Sequence, residues 1–299
     1  MGAAEMSLTR IPSDRDFKFD LDTFIPRATK RMASSDVWRA AWISARTIHA
    51  LLLREAVTRY GRRSAGYAWD LFQPMLQLTA MLAVFGFVGR APPIGDSLVV
   101  FFITGIMPVM SLRQSITRGA RAINSNRALM NYPQVRAFEI ITARILLEML
   151  TNILVVLLIV LFMKAFFDLA FTAWISAPLE LLGALGTLYL LCYGTGFLSA
   201  QIGRLFTPWA DLMAAVARLL FFTSGIWYTL ETLPTSLRQI VMYNPLAQVI
   251  EWIRDAAIRG FESQHFNPIY PIAFAVVCLF LGLVLEWFYR ITGLDLERR

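Results

Sequence analysis

Long apolar runs separated by short basic segments begin only after residue 70. The first run, residues 71–89, carries no charged side chain, and a helix needs about 20 apolar residues to cross a bilayer core of about 30 Å. The pattern therefore predicts an all-α integral membrane protein with six transmembrane helices, with Pro108 interrupting the second. The six runs are residues 71–89, 97–112, 145–163, 181–203, 209–228 and 269–289.

Basic residues alternate between the predicted loops. Twelve lysines and arginines precede the first span, whereas the next loop has only Arg90 and the loop after the third span has only Lys164. Since positive charge is retained on the cytoplasmic side, both termini are predicted to be cytoplasmic, with residues 90–96, 164–174 and 229–268 outside. The net charge of +7 is thus mainly a topology signal that also attracts anionic membrane lipid, and it does not predict nucleic-acid binding.

Composition agrees with a membrane protein. The chain is 57% hydrophobic with a mean hydropathy of +0.55. Cys192 and Cys278 fall inside predicted spans, where we interpret them as buried apolar residues. Residues 1–35 are polar and contain no apolar segment of a signal peptide, so they are predicted to be a flexible cytoplasmic tail, and the first span is expected to direct its own insertion.

Residues 36–69 are predicted to form an amphipathic segment before the first span. Trp38, Trp42 and Ile48 share one helical face, and arginines occupy the other, which is typical of a helix lying in the membrane interface. The alternative is an amphipathic helix packed on protein. Pro74 is expected in the first turn of the span that follows, where its missing N–H costs little.

Two other segments between the spans have distinctive patterns. Residues 124–134 (NSNRALMNYPQ), within the basic loop 113–138, favour a short helix that docks a cytoplasmic partner, with a solvated loop as the alternative. Residues 229–268 predict two short helices broken at Asn244-Pro245, either dipping into the outer leaflet or lying on the surface. In the second helix an apolar stripe is expected to oppose a polar side made of Gln248, Glu251, Arg254 and Asp255.

Charged residues inside the predicted spans should face protein or a water-filled path. Arg144 and Glu148 are one turn apart and are expected to pair. Asp211 and Arg218 lie two turns apart on one face of the fifth span, either as a structural pair or lining a path. Arg218 is the better candidate to meet an anionic substrate.

The sequence contains no candidate residues for several kinds of functional site. A phosphate-binding loop requires Gly-Lys-Ser/Thr, and none of the three lysines follows a glycine. ATP would therefore have to be hydrolysed by another subunit. With only His49 and His265, there is little scope for a metal or acyl-transfer site, so no catalytic, cofactor-binding or metal-binding residue is predicted.

An ordered set of segments resembles the membrane subunits of ABC capsular polysaccharide exporters, the KpsM type. The set comprises residues 51–74 (LLLREAVTRYGRRSAGYAWDLFQP), 101–148, the Leu-Pro pair at 233–234, and 243–260 (YNPLAQVIEWIRDAAIRG). The resemblance extends from about residue 36 to residue 290.

The resemblance implies an ABC type-2 (type V) exporter permease, with a transmembrane domain at residues 70–290 and a cytoplasmic tail at 291–299. It implies an N-terminal amphipathic gate helix, a coupling helix at about 124–134 and periplasmic re-entrant helices at about 229–265. The expected partners are a second copy of the chain, two cytoplasmic ABC ATPase subunits that bind ATP and Mg²⁺, a periplasmic co-polymerase-type adaptor and an outer-membrane channel. The expected substrate is a lipid-linked, usually acidic capsular polysaccharide that crosses the bacterial inner membrane.

Three groups of site residues follow from the resemblance and the sequence pattern. ATPase coupling is assigned to Asn126, Arg127, Leu129, Met130, Asn131, Tyr132 and Pro133. The inner mouth and gate of the channel are assigned to Arg59, Tyr60, Arg62, Arg63, Tyr67, Trp69 and Arg113, and basic residues there would attract anionic sugar or lipid phosphate. Channel lining is assigned to Arg218, Phe221, Phe222, Trp227 and Tyr228, for which plain interfacial or core packing is the alternative.

Other functions remain open at this point. An exporter of O-antigen, teichoic acid or a small drug would share the fold, because a fold does not determine the substrate. A membrane-embedded glycosyltransferase or acyltransferase would need an acidic or histidine cluster near one membrane face. A secondary transporter would work without any ATPase. A neighbouring gene that encodes a Walker-type ATPase would distinguish the exporter from it.

Overall fold

The computed structural model describes residues 34–60, 64–89, 91–132, 135–167 and 175–292. The chain divides into two units, residues 1–43 and 44–299. In the first unit the described residues are the start of helix α1 (Ser34–Tyr60), where Trp38 and Trp42 are exposed. The second unit contains the rest of α1 and the other described helices.

Four of the described helices are long and apolar enough to cross a membrane: α3 (Leu98–Ala120), α5 (Ala137–Phe167), α6 (Pro178–Leu205) and α10 (Ile269–Thr292). Helix α2 (Ser64–Val88) has a shorter apolar part, Phe72–Val88, and α7 (Trp209–Thr223) has 15 residues. At 1.5 Å per residue α7 is about 22 Å long, shorter than a bilayer core. The all-α membrane class is confirmed, whereas six crossings stay a prediction that depends on α2 and α7.

Prolines lie inside two helices. The prediction that Pro74 occupies a first turn is wrong, because α2 already begins at Ser64. Pro108 does not interrupt its span either, since α3 continues through it to Ala120. Membrane helices tolerate proline because neighbouring helices and nearby hydroxyl groups satisfy the freed carbonyl. The continuation of α3 also places Arg113 and Arg118 in a helix rather than in the expected loop 113–138.

Helix α6 packs closely against α3 and α10 through small residues. A Cβ atom added at Gly119 would lie 2.7 Å from the carbonyl oxygen of Gly196, and one at Gly203 would collide with the carbonyl oxygen of Ala120. One at Gly194 would collide with the carbonyl oxygen of Ala275 in α10. Small residues let helix backbones approach closely, and van der Waals packing then replaces the hydrophobic drive that is missing in lipid.

Aromatic residues fill the space between α2, α3 and the segment after α7. Phe101, Phe102 and Ile226 are fully buried. The rings of Phe85 and Phe102 meet edge to face with centroids 4.8 Å apart, the geometry that aromatic pairs favour. This core fixes the position of the segment that follows α7.

Hydrogen bonds to backbone carbonyls join the connecting segments at each of the two ends of the helices. At one end, called the hairpin end after the helical hairpin at residues 224–268, the amides of Ser176 and Ala177 both donate to the carbonyl oxygen of Ala256 at 3.1 Å. At the opposite end, the Asn124 side chain donates to the carbonyl oxygen of Gly203 at 3.0 Å. The Tyr289 hydroxyl donates to the carbonyl oxygen of Gln201 there, at 3.2 Å.

The hairpin, residues 224–268, contains a 3-10 helix (Leu230–Thr232), α8 (Thr235–Met242) and α9 (Pro245–Ala257). The predicted break at Asn244-Pro245 is confirmed: the Asn244 side chain accepts a bond from the amide of Leu246 at 3.0 Å and caps α9. Helix α7 ends at Thr223, before the predicted limit of 228, and Gly225 then adopts a φ of +81° that suits glycine.

Candidate functional site

The coupling helix predicted at about residues 124–134 falls on two short helices, α4 (Ala122–Ser125) and a 3-10 helix (Arg127–Asn131), at the end opposite the hairpin. Residues 122–132 are called the coupling segment below. Arg127 and Asn131 are exposed, and the side chain of Tyr132 is 62% exposed. Pro133 lies outside the described residues. Tyrosine and arginine are enriched in protein interfaces, so this exposed side has the composition of a docking surface.

The other side of the coupling segment is held by the helices. Met130 is half-buried and packs on a cluster that contains Ile123 and Phe197, and Leu129 is half-buried as well. Asn126 is buried, and its side chain donates to the carbonyl oxygen of Ala122 at 3.1 Å. Asn126 therefore holds the segment in place, while Arg127, Asn131 and Tyr132 remain accessible.

Helix α1 is joined by its polar side chains to the helices at this end. The Ser44 hydroxyl donates to Glu139 Oε1 at 3.0 Å, and Arg54 Nη1 donates to Asn126 Oδ1 at 3.5 Å. Glu55 forms an ion pair with Arg144. This part of α1 thus packs on protein, as the alternative interpretation expected. A movement of the coupling segment would reach α1 through these contacts.

A buried ion-pair network continues from α1 into the spans. The Glu148 carboxylate is fully buried and pairs with Arg118 of α3, and Arg144 Nε lies 3.8 Å from its other oxygen. The predicted Arg144–Glu148 pair is confirmed. Charges of alternating sign, from Glu55 through Arg144 and Glu148 to Arg118, therefore connect α1, α5 and α3. Because an unpaired buried charge is costly, these groups hold one another in position.

Asp211 pairs with a different arginine from the one considered in the sequence. Arg121 Nη2, beside the coupling segment, lies 2.8 Å from Asp211 Oδ1 at the start of α7, and both side chains are exposed. Arg218 is exposed, and its Nε donates to the carbonyl oxygen of Ala214 at 3.3 Å. Arg218 is therefore available to solvent or to a partner.

The predicted gate falls mostly on side chains outside the described part of the chain, and it stays a prediction there. These are Arg59, Tyr60, Arg62, Arg63, Tyr67 and Trp69. Arg113 is described: it lies in α3 and is half-buried.

The predicted lining residues divide into two groups. Phe221 and Trp227 pack edge to face with centroids 6.1 Å apart, and Trp227 also stacks on Phe85 at 6.0 Å, so both serve core packing. Phe222 is exposed on α7, as Arg218 is. Tyr228 is half-buried. Of the five, Arg218 and Phe222 are the most accessible for a lining role.

Arg254, on the predicted polar side of α9, organises the hairpin. It is fully buried, and its Nη1 donates to the carbonyl oxygens of Gly225 at 2.7 Å and Tyr228 at 2.9 Å. Its guanidinium carbon lies 4.1 Å from the centroid of the Phe101 ring, within cation–π range. The non-helical turn after α7 leaves carbonyls that need donors, and Arg254 supplies them.

Two neighbours of Arg254 on the polar side of α9 also contact protein. Gln248 and Glu251 are buried. Gln248 donates to the carbonyl oxygen of Met242 at 2.6 Å and accepts from the amide of Asn267 at 2.7 Å. Glu251 accepts from the amide of Leu230 at 3.2 Å, and burial raises its pKa to about 7. These side chains fasten the surrounding loops to α9.

A partly exposed charged group closes the tip of the hairpin. His265 Nδ1 lies 2.7 Å from Glu231 Oε1, and His265 Nε2 lies 2.7 Å from Arg238 Nη1. Since arginine only donates, Nε2 must accept, which assigns a neutral His265 with its proton on Nδ1. Burial raises the pKa of Glu231, but the bonds from His265 and from the Gln264 amide outweigh it and leave the pKa below its usual value.

Comparison with known proteins decides the family. Residues 46–258 match the ABC-2 type transporter family. The chain belongs to the ABC-2 type transporter family. Among its relatives is the polysialic acid transport protein KpsM of Escherichia coli, 30% identical over 80% of this chain and 92% of the relative.

Other similar ABC-2 type transporter proteins carry related names. The capsule polysaccharide export inner-membrane protein CtrC of Neisseria meningitidis serogroup A is 26% identical over 85% of this chain and 95% of the relative. The capsule polysaccharide export inner-membrane protein BexB of Haemophilus influenzae is 27% identical over 81% of this chain and 91% of the relative. The family resemblance inferred from the sequence is thereby confirmed.

Sequence reasoning missed the residues of this ABC-2 type transporter that organise the hairpin. One signal was present: Gln248, Glu251 and Arg254 recur every three residues along α9, so they share a face. That spacing predicted a polar side opposite the apolar stripe, but not which residues this side contacts. The inward direction of the polar side follows only from the turn after α7, where the carbonyl oxygens of Gly225 and Tyr228 accept bonds from Arg254.

Proposed function

We propose that this chain is the permease subunit of an ATP-driven exporter that moves lipid-linked acidic capsular polysaccharide across the bacterial inner membrane. The observation that carries the proposal is the likeness, over at least 80% of this chain, to proteins named for transport of polysialic acid or capsule polysaccharide. The basic side of the protein and the exposed Arg218 suit an anionic cargo.

The proposed topology has six crossings with both termini in the cytoplasm. Helices α2 and α7 would supply the first and fifth crossings beside the four longer helices. The geometry supports this arrangement, because residues 91–96 and 229–268, both expected outside, lie together at the hairpin end. Residues 175–177, which directly follow the outer loop expected at 164–174, lie there as well. The hairpin would be re-entrant: its two helices are short, and its irregular backbone is bonded internally by Arg254, as membrane depth requires.

The proposed assembly is two copies of this chain with two cytoplasmic ABC ATPase subunits. Arg127, Asn131 and Tyr132 would contact the ATPase, and the ion pairs from Glu55 to Arg118 would pass its movement to α1 and the spans. The ATPase would hold ATP and Mg²⁺, and this chain would hydrolyse nothing. A periplasmic co-polymerase-type adaptor and an outer-membrane channel would continue the route, with the lining residues and the gate before α2 contacting the polymer.

Joint replacement of Asn131, Tyr132 and Pro133 by alanine tests the proposal. Cells with this variant should make the permease at wild-type level but display little surface polysaccharide, because the ATPase no longer docks on the permease and cannot move the channel. Arg290→Ala is the control, since Arg290 is an exposed arginine in the last turn of α10 and is not one of the residues assigned to ATPase coupling. Normal surface polysaccharide in the triple variant would overturn the coupling assignment. If deletion of the gene for this chain leaves the surface polysaccharide at the wild-type level, the exporter function is overturned. An enzyme or a secondary transporter would then be favoured.

A further inference from the structure

An open groove lies between the hairpin and the start of α10. It has a volume of about 870 Å³, within the usual range for small-ligand sites of about 300–1,000 Å³. The polar and aromatic residues that line it are Ser236, Gln239, Tyr243, Gln248, Asn267 and Tyr270.

Internal hydrogen bonds fix the back wall of the groove. Gln248 uses its amide nitrogen on the carbonyl oxygen of Met242 and its oxygen on the amide of Asn267. The Tyr270 hydroxyl donates to the carbonyl oxygen of Tyr243 at 2.7 Å. These bonds join α8, α9 and α10 around the groove, so its wall keeps one geometry before any ligand arrives.

The front of the groove offers accessible polar groups and an aromatic face. Ser236, Gln239 and Tyr243 lie on one face of α8 and its C-terminal cap, at helical spacing. The side chain of Tyr243 is 78% exposed, and Ser236 and Gln239 are exposed too. A hydroxyl and a carboxamide both donate and accept hydrogen bonds, and the phenol ring presents a flat apolar surface.

The chemistry of the lining indicates the class of ligand. Among the residues that the structure describes, no acidic or basic side chain lines the groove. This disfavours a lipid phosphate as the bound group, because charge-assisted bonds are the strong ones for phosphate. Carboxamides beside aromatic rings suit a ligand that is rich in hydroxyl groups and has apolar ring faces, which describes a saccharide. Without a fixed charge, contacts with an anionic polymer stay weak enough for it to move on.

We propose that this groove holds a short stretch of saccharide at the outer side of the permease, with Tyr243 stacking on a sugar ring and Gln239 bonding its hydroxyls. This inference rests on the proposed export function and adds a site for the cargo. Hydrogen bonds between neutral groups, together with stacking, would keep the exported polysaccharide at the hairpin between successive translocation steps.

A photo-crosslinking amino acid placed at Tyr243 tests the site in living cells that make their own polysaccharide. Illumination should give an adduct of the permease that releases monosaccharides on acid hydrolysis. The same amino acid at Leu237 is the control, because Leu237 is half exposed on α8 but does not line the groove. Equal sugar at both positions, an adduct carrying only phospholipid, or no adduct at Tyr243 would overturn the inference.

The double variant Gln239→Ala, Tyr243→Ala provides a second readout. It should lower surface polysaccharide at least threefold while the amount of purified complex with the ATPase stays unchanged, because the site contacts cargo rather than the ATPase. Unchanged export would overturn the saccharide site while leaving the exporter function intact. Absence of export by the wild-type chain would instead overturn the exporter function, and the site with it.

Discussion

Replacement of Arg254 by methionine should destabilise the hairpin more than a single substitution on the surface would. Methionine is apolar and similar in length, so it removes the guanidinium with little loss of volume. The carbonyl oxygens of Gly225 and Tyr228 then lose donors at 2.7 and 2.9 Å. The interaction with the Phe101 ring is lost as well.

The magnitude follows from these contacts. Two bonds from a charged donor contribute about 3–6 kcal/mol, at about 1.5–3 kcal/mol each. Removal of a buried charge returns part of its desolvation cost, which leaves a net loss of about 2–4 kcal/mol. An unfolding entropy of about 2.1 cal/mol/K per residue gives about 0.6 kcal/mol/K for 299 residues, so the midpoint of thermal unfolding falls by about 3–6 °C.

Thermal unfolding of the purified protein in detergent, followed by size-exclusion chromatography with fluorescence detection, measures the change in the unfolding midpoint. Arg254→Lys should give an intermediate loss, because an ammonium group lacks the planar fork that spans two carbonyls. Arg218→Met is the control for stability, since Arg218 is exposed and bonds to Ala214 in its own helix, and surface changes stay within about 0.5 kcal/mol. An Arg254→Met protein that unfolds at the wild-type midpoint would refute the reasoning.

Three further substitutions test other parts of the structure by the same unfolding assay. Gly203→Ala should lower the midpoint because the added Cβ collides with the carbonyl oxygen of Ala120. Gly186→Ala should keep or raise it, because in the described part of the chain no atom outside the local helix backbone lies within 4 Å of the added Cβ. Equal effects would contradict the close packing of α3 and α6. Glu148→Gln removes the buried partner of Arg118 and should cost about 3–5 kcal/mol, part of which Arg118→Met should restore in the double variant. Glu251→Gln should match wild type near pH 5 and be more stable near pH 8. A buried carboxyl with a pKa raised to about 7 binds extra protons when folded, so its stabilisation is lost, by about 3 kcal/mol, as pH rises through that pKa. Midpoints that differ equally at both values would contradict the buried carboxyl.

The helices were predictable because their causes are local. Span length and charge asymmetry appear directly in the order of residues, and Asn244-Pro245 stops one helix and starts another by its own backbone preferences. The Arg144–Glu148 pair was predictable for the same reason, since one helical turn separates the two residues.

The rest of the site depends on partners that are distant in sequence. Asp211 pairs with Arg121, 90 positions away, so helical spacing alone suggested Arg218 instead. Arg254 is buried because a turn 26 to 29 residues earlier leaves carbonyls without donors. Nothing in the amphipathic pattern of α9 reveals that need, since polar residues on a short helix usually face water.

Co-purification from native membranes, with a tag on this chain, tests the central claim most directly. The account predicts a complex of two permease chains with two ATPase subunits that hydrolyses ATP, and loss of the ATPase when residues 131–133 are replaced. A chain that purifies without any ATP-hydrolysing partner would contradict the account.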